Sequence, residues 1–170
     1  MSYLNHTRTR VVAALMLLAL PACTVTFRQK PIEPLDTDRN YDTTIQAAWS
    51  GIKQVIEEWP YQISEESFDA DNNAGMIITD YWVLPDLGED VDRLKEVAYA
   101  QGAPFIGGRY TLTATVREIR GGNAKVKVVA RIEGYMGEEY GYQVLRSTGL
   151  IEQTIFTRLN ETLGTVPVED

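Results

Sequence analysis

Few side chains in this 170-residue chain are suited to nucleophilic or metal chemistry. Cys23 is the single cysteine and His6 the single histidine, and they lie on either side of an apolar run at 11–20. A Ser-His-Asp triad, a cysteine nucleophile and a zinc site built from His or Cys ligands all need residue types that are missing after position 23. The chemistry to explain is therefore that of one thiol.

The sequence before Cys23 has the organisation of a secretory signal peptide. Arg8 and Arg10 precede the apolar run, and residues 1–22 contain no acidic residue. A basic start, a short apolar region and a small residue at its end define such a signal. The run is about half the ~20 apolar residues that a membrane-spanning helix needs. We therefore expect residues 1–22 to be a signal peptide that is removed.

The segment LPAC at the end of this signal resembles a bacterial lipobox. Leu20 lies three positions before Cys23 and Ala22 directly before it, whereas Pro21 departs from the small residue usual at that position. The resemblance implies that Cys23 carries fatty acids such as palmitate and becomes the mature N-terminus. Several acyl chains hold a protein on a membrane stably, at roughly 0.8 kcal/mol per buried CH₂. The alternative is an ordinary signal peptide cleaved nearby, which leaves a free thiol.

The mature chain is acidic and is expected to face the periplasm. Loss of Arg8 and Arg10 lowers the basic count from 16 to 14 against 24 acidic residues, a net charge of −10. An acidic chain without a basic stripe is a poor ligand for nucleic acid. Thr24 favours the outer membrane, because in similar enteric lipoproteins an Asp at this position retains the protein at the inner membrane. We therefore expect a lipid-anchored outer-membrane protein.

The remaining chain predicts a tether followed by one domain. Residues 23–40 comprise the acylated cysteine and a polar segment with two prolines and no hydrophobic periodicity, which is typical of a linker. The alternative is an extended arm packed on the domain through Phe27, Ile32 and Leu35. Residues 41–164 are predicted to form a single domain, and residues 165–170 a tail.

Two amphipathic helices bound the domain. The first is predicted at 43–58, capped by Thr43 or Asp42 and stopped by Pro60. The second is predicted at 148–163, capped by Ser147 or Thr148 and ended by Gly164. Apolar residues recur in both at helical spacing, which predicts one buried face on each: Ile45, Ala48, Trp49, Ile52, Val55, Ile56 and Trp59 in the first; Ile151, Ile155, Leu159 and Leu163 in the second.

Four strands are predicted between the helices, at 61–68, 76–84, 109–120 and 124–132. The last two alternate apolar and polar residues around the turn Gly121-Gly122-Asn123, which is the strongest hairpin signal in the chain. Their inward residues are predicted to be Tyr110, Leu112, Ala114, Val116, Val126, Val128, Ala130 and Ile132. The expected fold class is α+β, a four-stranded antiparallel sheet, covered on one face, with packed N- and C-terminal helices.

Two segments outside this framework are candidate contact surfaces. The segment 133–143 contains Tyr135, Tyr140 and Tyr142, and tyrosine is enriched at protein interfaces. Its alternative is a bulged strand end whose tyrosines pad the sheet. The long insertion 85–108 includes a short helix that begins with Asp90 and Asp92, which can face a basic partner or simply be solvated. The loop 69–75 lacks the Gly and Glu of a calcium-binding EF-hand, so we expect no metal site.

The lipobox, the polar tether and a helix-grip order of elements ending in STGLIEQTIFTRLNETLG resemble the BamC-like outer-membrane lipoproteins. The resemblance covers residues 41–164 and implies a helix-grip fold and an accessory role in β-barrel assembly. That family's best-known member has two such domains, and this chain has room for one.

Together these features predict a non-catalytic protein-interaction or assembly-accessory module. We expect no enzyme activity and no cofactor, with the membrane contacted through the N-terminal lipid and envelope proteins as partners. The alternative is a periplasmic binder of an apolar small molecule or lipid, held in a groove between helix and sheet, where Ala114 and Ala130 leave space.

Overall fold

A computed structural model describes residues 35–58, 62–84, 90–100 and 104–165. The predicted signal peptide, Cys23, the tether up to Pro34 and the tail after Thr165 lie outside these residues. The described elements are, in chain order, β1 (Asp38–Tyr41), α1 (Ile45–Glu57), β2 (Ile63–Asp69), β3 (Ala74–Thr79), β4 (Trp82–Leu84), α2 (Asp90–Val97), β5 (Gly107–Glu118), β6 (Ala124–Tyr135), β7 (Tyr142–Leu145) and α3 (Leu150–Leu163).

The sheet is built around the hairpin of β5 and β6. These two strands pair antiparallel over twelve residues each, from Gly107 opposite Tyr135 to Glu118 opposite Ala124. Their inward side chains are all buried, as the alternation of apolar and polar residues predicts. The predicted hairpin and its core-facing residues are therefore confirmed.

Shorter strands extend the sheet on both sides of this hairpin. The strand order is β1-β6-β5-β3-β2, all pairs being antiparallel. β7 pairs with the same edge of β6 as β1, and β4 pairs with the same edge of β5 as β3. Each long strand therefore has two short neighbours in line along its outer edge.

The α+β class is confirmed, whereas the expectation of four strands is wrong, because the described sheet has seven. One extra strand, β1, begins in the segment assigned to the tether, which is predicted to end at residue 40; its sequence DRNY has a single apolar residue and so carries no strand pattern. A second arises because the predicted strand 76–84 is broken at Asp80 and Tyr81. The third, β7, begins within the Tyr- and Gly-rich segment 133–143.

The first and last helices pack together on one face of the sheet. α1 contributes Ile45, Ala48, Ile52, Val55 and Ile56 to the core, and α3 contributes Ile151, Ile155, Phe156 and Leu159. The caps differ from the predicted ones. Thr44, not Thr43, accepts a hydrogen bond from Ala47 N at 3.3 Å. α3 follows Gly149, which has a φ of 92° and provides no side-chain cap in place of the predicted Ser147 or Thr148, and it ends at Gly164 as predicted.

The described part of the insertion belongs to the core, where α2 packs on the helix-covered face. Leu94, Ala98 and Phe105 are buried. Their close approach depends on two facing glycines: a Cβ at Gly108 would lie 2.8 Å from Leu94, and one at Gly134 would lie 2.5 Å from Phe105. This segment therefore closes one end of the core.

Two side-chain oxygens accept hydrogen bonds from the long strands at the positions where the short outer strands leave gaps. Leu112 and Ala130 are opposite each other in the hairpin, and each directs its amide away from the other. Leu112 N donates to Thr79 Oγ1 at 2.9 Å, between the positions paired with β3 and β4. Ala130 N donates to Glu152 Oε1 at 3.1 Å, between those paired with β1 and β7.

Glu152 is consequently a structural residue of the core. It is 1% exposed, and its second carboxylate oxygen accepts from Ser147 Oγ at 2.9 Å. We predict that Glu152→Ala lowers the free energy of unfolding by about 1–3 kcal/mol, because it leaves a buried N–H and a buried hydroxyl without their partners. Chemical denaturation measures the loss.

Two control variants separate this role from a general effect of losing a charge. Glu152→Gln keeps an acceptor for Ala130 N and is expected to lose less stability. Glu161→Ala removes an exposed acid from the same helix and is expected to change stability by less than about 0.5 kcal/mol. A Glu152→Ala protein as stable as wild type would contradict this role.

Candidate interaction site

Charged and aromatic side chains meet on the sheet face opposite the helices, at the end of the central hairpin. Arg109 on β5 lies directly opposite Glu133 on β6, and odd-numbered residues of both strands point to this face. Tyr81 reaches Arg109 from the connection between β3 and β4, and Tyr142 reaches it from β7. Tyr81, Arg109, Arg131, Glu133 and Tyr142 are referred to below as the Arg109 cluster.

The guanidinium of Arg109 lies between two tyrosine rings. Its Cζ is 4.0 Å from the ring centroid of Tyr81 and 3.8 Å from that of Tyr142. Its Nε donates to Glu133 Oε2 at 2.7 Å. Cation–π contacts contribute about 0.5–2 kcal/mol each, depending on how far the cation is desolvated. Two aromatic rings and one carboxylate oxygen thus contact the guanidinium, which restrains its orientation.

Glu133 is buried among the side chains with which it forms hydrogen bonds. It is 4% exposed, and Oε1 accepts from Arg131 Nε at 3.1 Å and from the Tyr81 hydroxyl at 3.4 Å. Burial alone raises the pKa of Glu133, but the hydrogen bond and charge of Arg109, the charge of Arg131 and the Tyr81 hydroxyl together hold this pKa below 4.5. At neutral pH the cluster therefore holds one carboxylate and two guanidiniums.

Exposed apolar and aromatic surface surrounds these charges. Tyr81 is 43% exposed, Tyr142 42% and Val144 64%. Val144 is opposite Glu133 on β7, and the exposed Val83 is opposite Arg109 on β4. Tyrosine and arginine are the types enriched at the centres of protein interfaces. The arrangement is suited to binding a partner through a rigid surface.

The three tyrosines that were predicted to contact a partner lie at different positions in the fold. Tyr135 and Tyr142 pair across β6 and β7, with ring centroids 4.9 Å apart. They lie at the ends of these strands and face the open side of the sheet. Tyr140 lies in the turn between these strands and is exposed.

Asp92, one of the two predicted acidic residues, is not part of the Arg109 cluster. Asp92 is exposed on α2, where it forms an ion pair with Lys95 at 2.9 Å, and α2 packs on the helix-covered face. Asp90 begins α2, but its side chain is outside the described residues, as is Cys23. The structure therefore does not join Asp92 to the tyrosines.

Four residues of the Arg109 cluster were not singled out by sequence: Tyr81, Arg109, Arg131 and Glu133. The alternation in the predicted hairpin places Arg109 and Arg131 on the polar face, whereas Glu133 comes just after the predicted end of its strand at residue 132. Nothing in the sequence indicates that the break after β3 turns Tyr81 onto Arg109.

Comparisons with known proteins do not assign the chain to a family. No protein-family model matches the chain, and no curated protein has a detectably similar sequence. Among the residues that the structure describes, no three His, Cys, Asp or Glu side chains are grouped to hold a metal ion. None of the described helices combines the length and the apolar character needed to cross a membrane.

The structure also bears on the proposed small-molecule groove. Ala114 and Ala130, the small residues considered as its walls, are buried within the core. Among the described residues, a surface depression of about 640 Å³ lies on the exposed side of α3, lined by Leu150, Gln153, Thr154, Thr157, Arg158 and Glu161.

We predict a pH-dependent contribution of Glu133 to stability. Because its pKa is lowered in the folded state, the contribution is complete above the ordinary value of 4.5 and is lost as pH falls through the folded-state pKa. At pH 7, Glu133→Gln is expected to lower stability by about 1 kcal/mol, allowing for solvent screening at the exposed Arg131. Thermal unfolding of both proteins between pH 7 and pH 2 measures the difference.

The difference in stability between wild type and Glu133→Gln should become smaller as the pH is lowered. Glu139→Gln, at an exposed acid in the β6–β7 turn, is the matched control and should track wild type. A gap of constant size over this range would contradict the assignment of an ionised Glu133.

Proposed function

We propose that this protein is a non-catalytic interaction module, held at the bacterial outer membrane by lipid on Cys23, that contacts envelope proteins through the Arg109 cluster. The observation that carries this proposal is the exposed sandwich of Arg109 between Tyr81 and Tyr142. It lies on a sheet face that no described helix covers.

The energetics of this cluster favour binding. Association usually costs about 0.5–1.5 kcal/mol for each long side chain that it immobilises. Here Arg109 is already held by two rings and by Glu133, so much of that cost is met during folding. A partner gains contact with tyrosine and valine surface without having to order it.

The lipid anchor and the periplasmic location are supported by sequence. The basic start, the short apolar run and the order Ala22-Cys23 are the pattern of a lipoprotein signal. Leu35, the first residue of the described unit, lies against Gly149 next to α3. The spacer between Cys23 and the domain is thus shorter than the segment 24–40.

A helix-grip-like arrangement is also part of the proposal. Its support is that α3 lies with Ile151, Ile155 and Leu159 buried against the core side of the sheet. The accessory role in β-barrel assembly rests on the resemblance to BamC-like lipoproteins.

We predict that the mature protein begins at an acylated Cys23. The intact mass of protein extracted from membranes should equal residues 23–170 plus the fatty acids. Cys23→Ala is expected to release the domain or leave an uncleaved precursor. A mass matching the unmodified chain, or cleavage elsewhere without lipid, would exclude the anchor.

We predict that the Arg109 cluster contacts a partner in intact cells. A photo-crosslinking amino acid at Val144 should yield an adduct, whereas the same group at the exposed Thr157 on α3 should not. The double variant Tyr81→Ala, Tyr142→Ala should lower the yield about tenfold, an effect of ~1.4 kcal/mol.

Unfolding temperatures of the crosslinking variants establish that each remains folded. Equal adducts at Val144 and Thr157 would refute the assignment of the interaction surface. A small molecule retained stoichiometrically by the purified protein would instead favour the ligand-binding alternative.

A further inference from the structure

The open face of the central hairpin is basic, although the chain as a whole has a net charge of −8. On β5 and β6 this face has a single carboxylate, that of Glu133, which is buried. It has five cationic side chains, which the register places on the same face: Arg109, Arg117, Lys125, Lys127 and Arg131.

These cations form two groups at opposite ends of the hairpin. Arg109 and Arg131 share Glu133 at one end. At the other end Lys125 pairs with Asp38 at 3.0 Å, whereas Arg117 and Lys127 are exposed and have no ion-pair partner among the described residues. Both ends therefore retain positive charge.

The surface between the two groups is made mainly of short side chains. Thr111, Thr113 and Thr115 occupy the open face of β5, and Val129 lies opposite Thr113 on β6. Eight residues separate Arg109 from Arg117, which corresponds to ~27 Å along a strand. An extended segment of about ten residues spans that distance.

We propose that an acidic segment of a partner protein lies along this face, from the Arg109 cluster to Arg117 and Lys127. This inference rests on the proposed function and specifies the chemistry of the partner. Carboxylates of the segment meet the cations at both ends, and its backbone and small side chains cover the threonines. Opposite charge speeds encounter and selects the partner, and salt weakens it.

The first test uses the mature chain in a neutral detergent and a labelled synthetic peptide. The peptide has two glutamates, six alternating serines and threonines, and two further glutamates; in the control peptide, glutamine replaces every glutamate. Fluorescence anisotropy at low salt should show saturable binding of the acidic peptide only. Raising the salt to ~0.5 M, where charges are screened within a few ångströms, should abolish it.

Matched charge reversals locate the binding surface. Lys127→Glu and Arg117→Glu should each weaken peptide binding at least tenfold. Arg93→Glu makes the same change in net charge at an exposed position on α2, on the other side of the sheet, and should leave binding unchanged. Equal binding of the two peptides, or an equal loss in all three variants, would overturn the proposal.

The outcomes also separate this inference from the proposed function. Adducts at Val144 that persist in Lys127→Glu and at high salt would overturn the acidic partner and leave the interaction module standing. An adduct with twice the mass of this chain would point to self-association instead. Binding to vesicles of phosphatidylglycerol, without binding of the peptide, would assign the face to anionic lipid.

Discussion

The architecture depends on two backbone amides that point away from each other at the centre of one hairpin. Leu112 and Ala130 face each other across β5 and β6, so their N–H groups must find acceptors outside the pair. Thr79 and Glu152 supply these acceptors. Since unpaired buried amides are costly, these oxygens allow each long strand to have two short neighbours instead of one long one. The same arrangement links α3 to the sheet through a carboxylate as well as through apolar packing.

Splitting the outer strands is also what creates the Arg109 cluster. One long partner strand would carry its side chains past Arg109 in regular alternation. Instead, the break after β3 places Tyr81 against Arg109, and β7 places Tyr142 against Arg109 from the neighbouring strand. On the opposite face, Gly108 and Gly134 lie next to Arg109 and Glu133 and admit Leu94 and Phe105. The rigid aromatic and charged surface is therefore backed by a closely packed core.

Sequence reasoning succeeded where one residue pattern determined the structure locally. The alternation in 109–120 and 124–132 identified the hairpin, its inward residues and its polar face. It missed β1 and β7, and it did not predict the break that separates β4 from β3; these three strands are three or four residues long and depend on pairing with the hairpin. The alternation assigns each hairpin residue to one face of the sheet. A register shift of one residue would move side chains to the wrong face and is excluded, whereas a shift of two residues keeps every side chain on its face. Arg109 was therefore recognisable as a polar-face residue, whereas its contacts with Glu133 and with Tyr81 required the three-dimensional arrangement.

The position of β1 has a mechanical consequence. It is the first strand of the described unit, so tension applied along the preceding chain reaches β1 before any other described element. β1 holds the edge of β6 through four paired residues, and the hydroxyl of Tyr41 at its end donates to Asn160 Oδ1 at 2.8 Å on α3. Pulling β1 away would uncover the amides and carbonyls of β6 while leaving the hairpin intact. Force would thereby turn a closed edge of this sheet into one that can accept another strand.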